Sequence, residues 1–257
     1  MSAALTAPLD LATIALLLAA GLWAGAQNAL AGGGSFITLP ALILAGLDPK
    51  LANITSTMAL FPGQITTGLA GRKLVAGAER LSFRALAIIS FAGGIGGAFL
   101  LIITPARLFA AMVPWLVLVA TLVFAWSTYG RRNHDTPPVP PPAWVSALIQ
   151  TVIATYGGFF GGGAGIMTLA ALTLARMPVR NAAGTKNVLI ALANLSAAIV
   201  FAFSGAVAWT YALTIGLGAI AGGYAGARLL TVLPDRVLRV AVIVIGAALT
   251  VGLFLRG

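Results

Sequence analysis

Apolar residues run almost unbroken through eight stretches of the chain, roughly 9–31, 52–70, 82–103, 107–128, 143–160, 183–203, 208–230 and 236–255. Each approaches the ~20 residues that a helix needs to cross a bilayer. None shows the alternation of apolar and polar positions that a membrane-spanning β-strand requires. Two shorter apolar pieces, Phe36–Gly46 and Ile166–Ala175, follow glycine-rich breaks at Gly32, Gly33 and Gly34 and at Gly161, Gly162 and Gly163. At ~1.5 Å per residue each reaches only about halfway through the ~30 Å hydrocarbon. These pieces are predicted half-helices.

The pattern repeats. Displacing the sequence by 130 positions sets Gly32, Gly33, Thr38, Leu39, Ala41, Leu42 and Leu44 on Gly162, Gly163, Thr168, Leu169, Ala171, Leu172 and Leu174, and Thr55 on Thr185. With one residue of slippage, Ala92–Leu101 lies on Ala221–Leu230, and Pro105-Ala106-Arg107 on Pro234-Asp235-Arg236. The halves meet at Gly130–Pro142, where a polar stretch and then several prolines cannot stay helical. A single membrane domain therefore divides into repeat one at about 9–129, a connector at about 130–142, and repeat two at about 143–257.

Composition places lipid around this chain. Of its 257 residues 60% are hydrophobic and 8% charged, against roughly 25% charged in a soluble domain. The 31 glycines suit close backbone approach between helices. A net charge of +10 resides mostly in short loops, so it signals topology and not nucleic acid. If each half-helix reverses the chain, one face collects Arg72, Lys73, Arg80, Arg84, Arg131, Arg132, Arg176, Arg180, Arg228, Arg236 and Arg239, and the other only Lys50, Arg107 and Arg256. That asymmetry puts the connector in the cytoplasm and both termini outside. The repeats are then inverted, and the fold class is an all-α polytopic membrane protein of two inverted repeats, each of four long transmembrane helices plus one half-helix after a glycine break.

Broken helices at matching positions of inverted repeats point to a transport site, since unwound backbone at membrane depth is tolerated where it lines a cavity. After the half-helices come Asn53, Thr55, Ser56 and Thr57 in the first repeat and Gly184, Thr185, Lys186 and Asn187 in the second. Both stretches are predicted to open helices, whose N–H groups and positive dipole ends favour an anion. Lys186 is the sharpest candidate because an intramembrane charge is costly; the alternative is that it snorkels to the interface with Arg180. The hydroxyls of Thr55, Ser56, Thr57 and Thr185 also suit local backbone bonding. Gln64 and Asn194 occupy aligned positions and either line the same cavity or join helices. Gln27 and Asn28 beside the first break are similar, weaker candidates.

Absences narrow the chemistry. Asp10, Asp48, Glu79, Asp135 and Asp235 all lie at segment ends or in loops, which disfavours a carboxylate proton relay. The lone His134 and the lack of cysteine leave no predicted metal site or catalytic residue. Gly184-Thr185-Lys186 lacks the spacing of a nucleotide-binding loop, so no cofactor is expected and ATP does not drive this chain by itself. A membrane potential contributes about 2.3 kcal/mol per charge per 100 mV, so export of an anion needs no further coupling.

Gly32-Gly33-Gly34-Ser35-Phe36-Ile37-Thr38-Leu39-Pro40 with Asn53-Ile54-Thr55-Ser56-Thr57, and Gly161-Gly162-Gly163-Ala164-Gly165-Ile166-Met167 with Gly184-Thr185-Lys186-Asn187, resemble the sulfite exporter TauE/SafE family, also called the toluene sulfonate uptake permease family. The likeness covers nearly the whole chain. It implies an inner-membrane secondary transporter for sulfite, organosulfonates or related sulfur-containing anions, not an enzyme. The chain departs from the family pattern at Ala170, where the first half has Pro40, and at Lys186-Asn187, where the first half has Ser56-Thr57. An anion channel and a non-transporting subunit that anchors a complex are the competing readings. Expected partners are the anion and the lipid bilayer, with a homodimer left open.

Overall fold

The computed structural model describes residues 9–30, 33–78, 80–129 and 140–229, with 240, 243–244, 247–248, 250–252 and 254–255. Among the described residues the regular structure is helical, apart from an isolated bridge between Ala78 and Leu81. The elements are α1 (Leu11–Leu30), α2 (Ser35–Leu44), α3 (Pro49–Gly71), α4 (Phe83–Ile103), α5 (Ala106–Tyr129), α6 (Ala143–Phe159), α7 (Ala164–Leu174), α8 (Val179–Phe203) and α9 (Trp209–Leu229). The described residues of the last apolar stretch are helical as well. Most of the connector, Gly32 and much of the final span fall outside the described residues.

Local chemistry sets these limits. Asp48 accepts the N–H groups of Lys50 and Leu51 at 3.0 and 3.2 Å, and Pro49 fits the first turn of α3, where its missing N–H costs nothing. Ser82 caps α4 by accepting from Ala85. At the far end of α4, the Lys50 ammonium donates to the carbonyls of Ile102 and Thr104, both at 2.7 Å. Those carbonyls have no intrahelical partner, so a lysine from another helix completes the cap. The half-helices α2 and α7 are 10 and 11 residues long. Gly33 (φ 91°) precedes α2 and Gly163 (φ 80°) precedes α7, a left-handed conformation that a Cβ would strain.

Among the described residues four helices, over 11–28, 83–103, 106–123 and 180–203, are long and apolar enough to cross a membrane by length and composition. The stretch in α3 is less apolar than the sequence pattern suggests, because α3 carries Asn53, Thr55, Ser56 and Thr57 on its inner faces, all of them buried. Lipid does not touch those positions, so they need not be apolar. The outer faces are the reverse: all five tryptophans, Trp23, Trp115, Trp126, Trp144 and Trp209, are 48–74% exposed. Trp126, Trp144 and Trp209 stand near helix ends, where aromatic rings favour the membrane–water boundary.

The most extensive packing runs between the two halves, whereas α2 and α7 pack mainly on helices of their own half. α1 lies along α9 and α4 along α6, while α3 and α8 lie against each other and against α9 and α4 respectively. Exchanging the halves maps each of these contacts onto its counterpart. Glycine permits the closest of them: a Cβ at Gly222 would run into the backbone of Leu22, and one at Gly97 into that of Thr155. The start of α3 lies beside the end of α8, since Thr55 Oγ1 accepts the N–H of Ala208 at 3.2 Å. The start of α8 lies beside the segment after α3, since Thr185 Oγ1 accepts the N–H of Ala76 at 3.0 Å and Asn181 Nδ2 donates to Leu74 O at 3.0 Å. α3 and α8 thus run antiparallel. A core of Phe36, Phe109, Phe159, Phe160 and Phe201 fills the space around the two breaks.

Candidate functional site

Both glycine breaks are held open by polar side chains. At the first, Asn28 Oδ1 accepts the Gly34 N–H at 2.8 Å, and Gln27 Nε2 donates to Gly33 O at 3.4 Å. At the second, the Tyr156 hydroxyl donates to Gly162 O at 2.8 Å and Asn53 Nδ2 donates to Phe159 O at 2.9 Å. Backbone groups freed where a helix stops must find such partners when water is absent. The breaks also approach each other, for a Cβ at Gly161 would lie 3.7 Å from Ser35 Oγ and 3.9 Å from Thr57 Oγ1.

Between them is a cavity of about 40 Å³. The first half lines it with Asn28, Gly33, Ser35 and Gln64, the second with Gly161, Gly165, Lys186, Asn187, Ile190 and Asn194. Gln64 and Asn194, 130 positions apart, meet directly: Asn194 Nδ2 donates to Gln64 Oε1 at 2.6 Å. The pair therefore joins α3 and α8 at the cavity wall. Both sequence alternatives for Gln64 and Asn194 hold at once, since the pair joins helices and lines the cavity.

Lys186 is 7% exposed. It does not snorkel; its stem passes Gly165, whose added Cβ would lie 3.8 Å from Lys186 Cδ. Among the described residues the ammonium has no hydrogen-bond or ion-pair partner, and no Asp or Glu lines the cavity. Glycine at position 165 leaves room for that stem.

The helix starts need correction. α3 begins at Pro49 and α8 at Val179, so Thr55 and Thr185 are each the seventh residue of a helix and their N–H groups lie within the helical ladder. Asp48-Pro49 and Pro178 are stronger start signals than the Asn and Thr residues that follow. The helix ends that do face the cavity are those of the half-helices. Ser35 opens α2, its repeat partner Gly165 lies in the first turn of α7, and the N–H of neither has an acceptor among the described residues. A pair of positive dipole ends therefore converges on the cavity beside Lys186, from elements other than the ones expected.

The remaining candidates lie around the cavity and not on its wall. Thr55 and Thr185 bond the loops at Ala208 and Ala76, Ser56 shares a hydrogen bond with Thr38, Thr57 donates to Asn53 O at 3.1 Å, and Asn53 holds the second break. Gly184 is buried one turn from the wall. Of the glycines, Gly33 and Gly161 line the cavity, Gly34, Gly162 and Gly163 shape the turns beside it, and Gly32 is outside the described residues. Ser35, Gly165 and Ile190 were not among the candidate site residues, although Ser35 and Gly165 stand in the two glycine-rich motifs.

Comparison with known proteins gives a consistent result. The family model described as Sulfite exporter TauE/SafE matches residues 17–253. A protein of Sinorhizobium sp. named probable membrane transporter protein ORF9 is 31% identical, over 93% of this chain and 92% of its own. A probable membrane transporter protein of Haemophilus influenzae is 28% identical over 92% of each chain. The probable membrane transporter protein YfcA of Escherichia coli is 27% identical over 88% of this chain and 84% of its own. No solved structure matches.

Proposed function

The chain belongs to the sulfite exporter TauE/SafE family of membrane transporters, and from that premise we propose that it is a secondary transporter that exports a small sulfur-containing anion, sulfite or an organosulfonate, across the inner membrane. The observation that carries this reading is Lys186, a buried ammonium without a partner among the described residues, on the wall of a cavity between the two breaks. An uncompensated buried charge is strongly unfavourable, and an anion is the natural counter-charge. The half-helix starts at Ser35 and Gly165 would add N–H donors to its oxygens, and the amides of Asn28, Asn187 and Asn194 further ones.

The inverted-repeat reading draws support from the antiparallel run of α3 and α8 and from the exchange of partners between α1–α9 and α4–α6. In such transporters the two repeats rock around a fixed central site, which here is the cavity lined by Gln64 and Asn194. Sidedness follows from charge: Arg72, Lys73, Arg80, Arg176 and Arg180 belong to the face where α3 ends and α8 begins, and Lys50 and Arg107 to the opposite one. The basic face is assigned to the cytoplasm.

The test is uptake of radiolabelled sulfite and methanesulfonate into proteoliposomes at a fixed membrane potential, with Lys186→Ala and Lys186→Gln alongside. Saturable uptake that both folded variants reduce sharply without abolishing it supports the site. Unsaturable flux without counterflow would make the protein a channel. A wild type that passes no anion would leave the assembly role as the better reading.

A further inference from the structure

Among the described residues the cavity gathers positive charge and no acidic side chain to balance it. The Lys186 ammonium and the starts of α2 and α7 converge there. No Asp or Glu occurs anywhere in α3, α4, α6, α7 or α8, the helices that surround Lys186 or carry it. The repeat counterpart of Lys186 is Ser56, which bonds Thr38 and is itself neutral, so the first half brings no acid to the site. The other polar side chains of the wall, from Asn28 to Asn194, are uncharged.

A carrier that works by alternating access must pass through a form closed on both sides, once loaded and once on its return. Loaded, the anion neutralises Lys186. Empty, the closed form encloses a bare ammonium together with two positive helix ends, an arrangement that burial makes costly. We propose that the protein is an anion exchanger: it reorients readily only with an anion bound, and the uncompensated Lys186 holds back the empty form. Lys186 thereby has a second role beyond attracting the substrate, that of coupling the outward passage of one anion to the inward passage of another. The membrane potential alone then drives little net export. This inference rests on the anion-site reading above.

The experiment compares two modes of release from proteoliposomes loaded with radiolabelled methanesulfonate, and in a parallel series with labelled sulfite. Potassium and valinomycin on both sides hold the potential at zero. Efflux is timed into unlabelled substrate, which allows exchange, and into gluconate, which allows only net release. For the wild type, exchange is expected to exceed net efflux by at least about tenfold, equivalent to roughly 1.4 kcal/mol. In Lys186→Gln and Lys186→Met the empty form is neutral, so the ratio falls toward one even if both rates are lower; Lys186→Arg keeps it high. Equal rates in the wild type overturn the exchange proposal and leave the anion carrier standing. So does a ratio that survives in a folded, still active neutral variant. Absence of release in both modes for both anions would instead sink the anion-site reading itself.

Discussion

At the scale of single residues, the site is a small set of amides, two glycine turns and one lysine. Asn194 combines packing with a place on the cavity wall: it is 6% exposed, donates to Gln64 and lines the cavity. Hydrogen bonds between membrane helices average only about 0.6 kcal/mol, so Asn194→Leu should shift the melting temperature little. Its effect should fall on the ligand, raising KM several-fold; a collapsed melting temperature with unchanged KM would assign the residue to packing alone. Gly163 answers to a different constraint. Its φ of 80° is strained for any residue with a Cβ, and a Cβ built there would lie a tight 3.1 Å from Ala120 Cβ. Gly163→Ala should therefore cost about 1–2 kcal/mol from the left-handed backbone alone, measurable as earlier thermal unfolding in detergent.

At the scale of elements, the half-helices and the glycine contacts divide the work. α2 and α7 stop short so that their first turns can face a cavity, and the long helices around them supply the bonds that an interrupted backbone lacks. The long helices in turn depend on small residues, because apolar exclusion does not drive association in lipid. Gly222 and Gly96 make a paired test. A side chain at Gly222 would overlap the backbone of Leu22 on α1, whereas Gly96 has nothing within 4 Å. Gly222→Val should deplete folded protein, seen by size exclusion after extraction. Gly96→Ala should be neutral or stabilising by up to about 1 kcal/mol through helix propensity. Equal sensitivity at the two positions would contradict the packing assigned to α1 and α9.

At the scale of the whole molecule, the two halves interlock so that neither carries a complete site. Asn53 from the first half holds the break of the second, Thr55 and Thr185 each bond a loop of the opposite half, and the cavity draws on both. The arrangement also separates two charged faces, and the absence of native cysteine gives a clean background for testing them. A single cysteine at Arg80, which is exposed, should react with an impermeant thiol reagent only from the cytoplasmic side. One at Arg107, exposed on the opposite face, should react only from outside. Labelling of both from the same side would remove the proposed topology and with it the sidedness of export.

The order of the described helices and the two glycine breaks were legible in the chain itself, and Lys186 stood out as a charge in an apolar helix. Each rests on local physics: the length of an apolar run, the φ angles open only to glycine, and the cost of a charge in hydrocarbon. The start of α3 was legible too, in Asp48-Pro49, although the run of polar residues beginning at Asn53 drew attention downstream. Which polar residues face the cavity was not legible. Thr55, Ser56 and Gln64 are alike in polarity and lie on one helix, yet Thr55 bonds Ala208, Ser56 bonds Thr38, and only Gln64 reaches the wall. That choice depends on the angle at which α3 meets α8 and on what the other half places opposite each face. Sequence periodicity carries no information about either, because the polar residues of α3 spread over several buried faces and only the packed neighbours tell one from another.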